Sequence, residues 1–77
     1  MQRQHNPPNT TLRRKFGMRV RQLRETLGYS QEELGFKAGI HRTYIGSVER
    51  GEQNVSLDNI GRIAKHLKVS LDGLFKF

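Results

Sequence analysis

Three glycine stops constrain this chain more than any other feature. Gly28, Gly39 and Gly51 each close a stretch of helical character, and they stand 11 and 12 residues apart. Glycine takes the left-handed backbone that ends a helix without the steric penalty of a Cβ. Only short helices fit between such stops. The start signals agree with the stops. Ser30-Gln31-Glu32-Glu33 has the form of a capping box, in which the Ser30 hydroxyl accepts from the Glu33 amide and the Glu33 carboxylate reaches back to the Ser30 amide. Ser56 can cap a later helix whose first turn carries Asp58, and Ser70 can cap a last turn or two.

The apolar spacing fills in the segments. Leu12, Phe16, Val20, Leu23 and Leu27 recur at steps of 4, 4, 3 and 4, which predicts a first helix over about 12–27. Leu34 and Ala38 give a second helix its inward pair, Ile45 and Val48 a third, and Leu57, Ile60, Ile63, Ala64 and Leu67 a fourth. Leu71 and Leu74 follow in the last turns. These apolar residues form the expected core. No strand-like alternation appears, so the expected fold is all-α: a compact bundle of five short helices around a central helix-turn-helix. Residues 1–10, with Pro7-Pro8 and little to bury, read as a disordered basic arm before a domain spanning 11–77.

Charge is unevenly distributed. The net charge is +7, and the stretch 1–24 holds Arg3, Arg13, Arg14, Lys15, Arg19, Arg21 and Arg24 with no acid, so the remainder is neutral. Such a balance points to an anionic partner, either nucleic acid or an acidic membrane surface. Arg13, Arg14, Lys15, Arg19 and Arg21 are the expected phosphate-facing patch. Other classes are excluded. With no cysteine there is no disulfide framework and no thiolate zinc site, and the compartment is expected to be reducing. No apolar run approaches the roughly 18 residues of a spanning helix, and the N-terminus lacks a signal-peptide pattern, so a cytoplasmic protein without membrane partner is expected. His5, His41 and His66 share no helix face, and no glycine pattern would cradle a phosphate. Neither catalytic nor metal residues are assigned, and no cofactor or small-molecule ligand is expected.

The segment 41–50 carries the functional reading. A major groove about 12 Å wide admits one helix, whose N-terminal residues meet base edges. With Ile45 and Val48 turned inward, Arg42, Thr43, Gly46 and Ser47 are left to point outward. Arg42 can fork onto guanine N7 and O6, Thr43 offers a hydroxyl and a methyl, and Gly46 would permit close backbone approach.

On these residues the chain resembles the phage-repressor, Cro/CI-like family of helix-turn-helix regulators, whose fold is the lambda-repressor-like domain. The likeness runs over 18–75 and is carried by Ser-Gln-Glu-Glu-Leu-Gly-Phe-Lys-Ala-Gly-Ile-His-Arg-Thr-Tyr-Ile-Gly-Ser-Val-Glu-Arg-Gly at 30–51 and by Ile-Ala-Lys-His-Leu-Lys-Val-Ser-Leu-Asp-Gly-Leu-Phe at 63–75. Arg-Thr-Tyr-Ile and Asn-Val-Ser-Leu are most similar to the controller proteins of restriction-modification systems.

The resemblance implies a sequence-specific regulator that binds double-stranded DNA as a homodimer on an inverted repeat, with RNA polymerase as a candidate further partner. It implies phosphate contacts for Gln31, His41, Gln53, Asn54 and Arg24, with Arg24 paired to Glu49. It adds Tyr44 to the base-reading positions Arg42, Thr43, Gly46 and Ser47. It places dimerisation in the C-terminal region, where Leu71, Phe75 and Phe77 offer an apolar patch. The chain departs from the family at Gly46, where a longer polar side chain is common, and at Glu52, which lowers the charge of the phosphate-contacting loop. The alternative is an antitoxin-like interaction protein that autoregulates by binding DNA.

Overall fold

The computed structural model describes residues 10–77, and among them the chain forms five helices and no strand. Helix α1 spans Thr11–Thr26, α2 Gln31–Ala38, α3 Arg42–Glu49, α4 Leu57–His66 and α5 Leu71–Leu74. The capping signals act as the sequence suggests. Ser30 Oγ accepts from the Glu33 amide at 2.9 Å while Glu33 Oε1 accepts from the Ser30 amide at 2.9 Å. Ser56 and Ser70 accept from the amides of Asn59 and Gly73. Gly28, Gly39 and Gly51 have φ of 75°, 71° and 78°, the left-handed region where a side chain would be strained. Thr10, expected in the arm, instead caps α1 by accepting from the Arg13 amide. The rest of the arm lies outside the described residues.

Phe16 and Val20 of α1, Leu34 of α2, Ile45 and Val48 of α3, Ile63, Ala64 and Leu67 of α4 and Leu74 of α5 build one core. Leu23, Leu27 and Ile60 pack against its margin, half-buried. Truncating a fully buried Leu or Ile here would cost about 2–5 kcal/mol. Three expected core residues are not in it: Leu12, Leu57 and Leu71 are 64%, 77% and 51% exposed. Each stands in the first turn of its helix. Helical side chains lean toward the N-terminus, so an apolar residue in the first turn projects past the layer that covers the rest of the stripe.

Two glycines that local sequence leaves unexplained, or explains only in part, set the helix packing. A Cβ at Gly17 would meet the backbone of α3, striking the Val48 carbonyl and lying 2.7 Å from that of Glu49. A Cβ at Gly35 would strike the Ile40 carbonyl in the turn. Backbone rather than flexible side chain stands in the way at both, so α1 closes on α3, and α2 on the turn, only because these positions lack a side chain.

Candidate nucleic-acid interface

The two helices of the central motif are joined by Gly39, Ile40 and His41, with the Ile40 amide donating to the Gly35 carbonyl at 2.8 Å. Helix α3 is then held from both sides by one acid. Glu49 is 8% exposed, and its carboxylate accepts from Arg24 Nε at 2.6 Å and Arg24 Nη2 at 3.0 Å, a bidentate pair across 25 residues of sequence. Arg24 Nη1 also donates to the Tyr29 carbonyl at 2.7 Å, and Gln31 Nε2 donates to Glu49 Oε1 at 3.0 Å. The Glu49 hydrogen bond raises the Arg24 pKa above its usual value, against the opposing effect of burial. This network ties α1, α2 and the end of α3 together. Arg24 and Gln31, both expected at phosphates, thus direct part of their donor capacity inward to Glu49 and Tyr29. Gln31 can grip phosphate only through what that bond leaves.

The outer side of α3 is narrower than the sequence suggests. Residues 45–49 are all buried, because α1 and α2 flank the helix. Gly46 and Ser47, expected to point outward, lie in that stretch. Ser47 is 8% exposed and its hydroxyl donates to the Tyr44 carbonyl at 2.7 Å. Gly46 is covered by two side chains, since a Cβ there would lie 3.2 Å from Arg50 Nη1 and 3.4 Å from Gln31 Oε1. The lack of a side chain makes room for the guanidinium and carboxamide rather than baring the backbone. Tyr44 is half-buried against the core. What remains exposed is the first turn: His41, Arg42 and Thr43. His41 caps α3, its Nδ1 accepting from the Thr43 amide at 3.1 Å.

Sequence reasoning missed Arg50. Its guanidinium lies over Gly46, and Nε and Nη2 donate to Glu52 at 3.0 and 3.1 Å. The spacing of Arg42, Gly46 and Arg50 at i, i+4 and i+8, which puts them on one stripe, was the available signal. The ion pair lowers the Glu52 pKa and raises that of Arg50. Beyond it, Asn54 is exposed, Gln53 is half-buried, and both line a groove with Leu12, Arg13 and Phe75.

The basic patch of α1 divides. Arg19 Nε and Nη2 donate to the Gly73 carbonyl at 3.1 and 2.9 Å, and Arg21 pairs with Glu25 at 3.1 Å. Arg14 packs its stem against Gly51. Arg13 and Lys15 extend from the first turns of the helix, half-buried and exposed. At the C-terminus Phe75 stacks on Phe16 with ring centroids 5.1 Å apart, and Phe77 lies 6.1 Å from Phe75. Leu71, Phe75 and Phe77 are 51%, 41% and 52% exposed, an apolar surface of the C-terminal segment. Among the described residues no group of three His, Asp or Glu could hold a metal ion, and no helix is long and apolar enough to cross a membrane.

Comparison with known proteins places this geometry. The sequence pattern of the helix-turn-helix family matches residues 20–74. The chain is 51% identical over 63 residues to the control protein C.BamHI of Bacillus amyloliquefaciens, covering 80% of this chain and 78% of that one. The crystal structure of the restriction-modification controller protein C.AhdI from Aeromonas hydrophila superposes with a TM-score of 0.84 at 47% identity, over 86% of this chain and all of that one. The master regulator of biofilm formation SinR, solved in complex with DNA, superposes with a TM-score of 0.74 at 35% identity, over 79% of this chain and 98% of that one.

Proposed function

The chain belongs to the helix-turn-helix family of Cro/CI type, and from that membership we propose that it is a homodimeric, sequence-specific regulator of the restriction-modification controller kind. It is a DNA-binding transcription regulator and not an enzyme. The observation that carries the finer reading is the exposed turn His41-Arg42-Thr43 at the start of α3, held in place by the buried Arg24–Glu49 pair. Helix α3 enters the major groove with Arg42 and Thr43 at base edges and Tyr44 beside them. His41 and Asn54 meet phosphates, with Arg13 and Lys15 adding salt-sensitive attraction. Gly46 and Ser47 support this surface from within. Gln31 and Gln53 contribute at its edge, and Arg24 acts through Glu49.

The apolar surface formed by Leu71, Phe75 and Phe77 is the proposed twofold interface. Two such chains would set their α3 helices about 34–36 Å apart, one DNA turn, on an inverted repeat. Occupying a promoter there, in the cytoplasm where the DNA lies, excludes or recruits RNA polymerase.

Selection of bound DNA from a random pool tests the reading. An inverted repeat is the expected product, and Arg42→Ala should then cost about 1–3 kcal/mol and relax preference at one base pair. Full affinity and selectivity in the Arg42→Ala protein would remove that residue from the base-reading set.

A further inference from the structure

Two hydrogen bonds converge on one nitrogen at the start of α3. His41 Nδ1 lies 3.1 Å from the Thr43 amide nitrogen and 2.8 Å from Thr43 Oγ1. The amide has only a hydrogen to offer, so Nδ1 accepts, and an accepting ring nitrogen carries no proton. The other tautomer would point two N–H groups at each other and leave a first-turn amide without its cap. The ring proton therefore sits on Nε2. The hydroxyl of Thr43 faces a nitrogen that can only accept, so it is the donor of that contact and shares the single Nδ1 lone pair with the amide. Its oxygen keeps its lone pairs. Both residues are exposed on the outer turn of α3, so the hydroxyl is turned by this local contact rather than by the core.

We propose that His41 determines what Thr43 reads: with its hydroxyl proton directed to His41 Nδ1, Thr43 Oγ1 meets DNA as an acceptor and selects an exocyclic amino group, adenine N6 or cytosine N4, over a keto oxygen. His41 is thus a positioning residue for specificity, acting through Thr43. The inference rests on the proposed reading of α3 as the helix in the major groove. In that groove adenine and cytosine present amino donors where thymine and guanine present keto acceptors, so the direction of one hydroxyl decides between them.

The test begins with DNA selected by the wild-type protein and by Thr43→Val, a near-isosteric change that replaces the hydroxyl with a methyl group. The base pair whose preference Thr43→Val loses is the one Thr43 contacts. Two analogues are then placed there, one lacking the amino group of the pair and one lacking its keto oxygen. Deleting the amino group should weaken wild-type binding about threefold to tenfold more than it weakens Thr43→Val, the worth of one hydrogen bond. Deleting the keto oxygen should affect both proteins alike.

His41→Ala should erase the difference between the analogues. His41→Asn, whose Oδ1 caps the same amide and takes the same hydroxyl proton, should restore it, and the effect is then not one of folding. Several results overturn the inference: a larger wild-type loss for the keto deletion, an amino deletion that costs wild type and Thr43→Val alike, a Thr43→Val protein with unchanged preferences, or a His41→Ala protein with the wild-type pattern. A wild-type protein that enriches no DNA sequence defeats instead the reading of α3 itself.

Discussion

Helices α1 and α3 carry positive charge and exposed polar groups in opposite ways. Six basic side chains lie on α1 and a single one on α3, yet the exposed donors and acceptors suited to base edges are at the start of α3. Most of the basic residues of α1 are engaged with the protein itself: Arg14 against Gly51, Arg19 with the Gly73 carbonyl, Arg21 with Glu25 and Arg24 with Glu49. A count of basic side chains therefore measures attraction to an anion only after the acids paired with them, Glu25 and Glu49, are subtracted. Helix α3 carries a single basic side chain because its buried side must pack against two neighbours, and one turn of exposed residues is what remains.

The contrast within α1 is open to direct challenge. Arg24→Ala should destabilise the protein by about 3–5 kcal/mol, because it strands the Glu49 carboxylate in a buried site. Arg21→Ala removes a solvent-exposed i, i+4 pair and should cost no more than about 0.5 kcal/mol. Denaturant midpoints of the two variants compare them directly, and equal losses would erase the distinction between a structural and a surface arginine.

Replacing Arg13 and Lys15 by Gln should sharpen the same comparison from the binding side. The slope of log affinity against log salt should flatten by about 0.9 for each phosphate that the variant no longer neutralises, with site preference intact. Arg21→Gln should leave the slope as it is. A titration of binding against salt reads both, and an unchanged slope in the first variant would return Arg13 and Lys15 to an ordinary solvated surface.

The smallest effect is expected at Glu52. Arg50 holds its carboxyl below the usual carboxylate range, chiefly through their hydrogen bond. A carboxyl lowered in the folded state adds stability above its unfolded value and loses it as pH falls through the lowered folded value. Glu52→Gln should therefore slightly flatten the fall of the melting temperature below about pH 5, a small change because both side chains are exposed. An identical acid profile in wild type and variant would show that the pair adds nothing to stability.

Much of the fold was legible in particular residues. Gly28, Gly39 and Gly51 marked helix ends, and Ser30 with Glu33, Ser56 and Ser70 marked starts, because caps are settled by groups within about four residues of one another. The end of α4 was harder to read, since Lys68 rather than glycine takes the left-handed backbone there, with φ 62°. The site was legible only in its first turn. Arg42 and Thr43 are exposed as their spacing suggests, whereas Gly46 and Ser47 share the outward side on a helical wheel yet lie beneath Gln31, Arg50 and the flanking helices.

Sequence by itself determined the five helices, their caps, the apolar stripe of each and the excess of positive charge in the first third of the chain. These follow from interactions between near neighbours and from composition, which need no folded partner. Tertiary structure decided which stripe residues are covered, which arginines direct donors inward and how little of α3 remains exposed. The reason is distance along the chain: Arg24 meets Glu49 across 25 residues and Arg19 meets Gly73 across 54, and Gly17 admits the Val48 carbonyl from a helix two elements away. No local pattern records such encounters, because the groups become neighbours only when the helices pack.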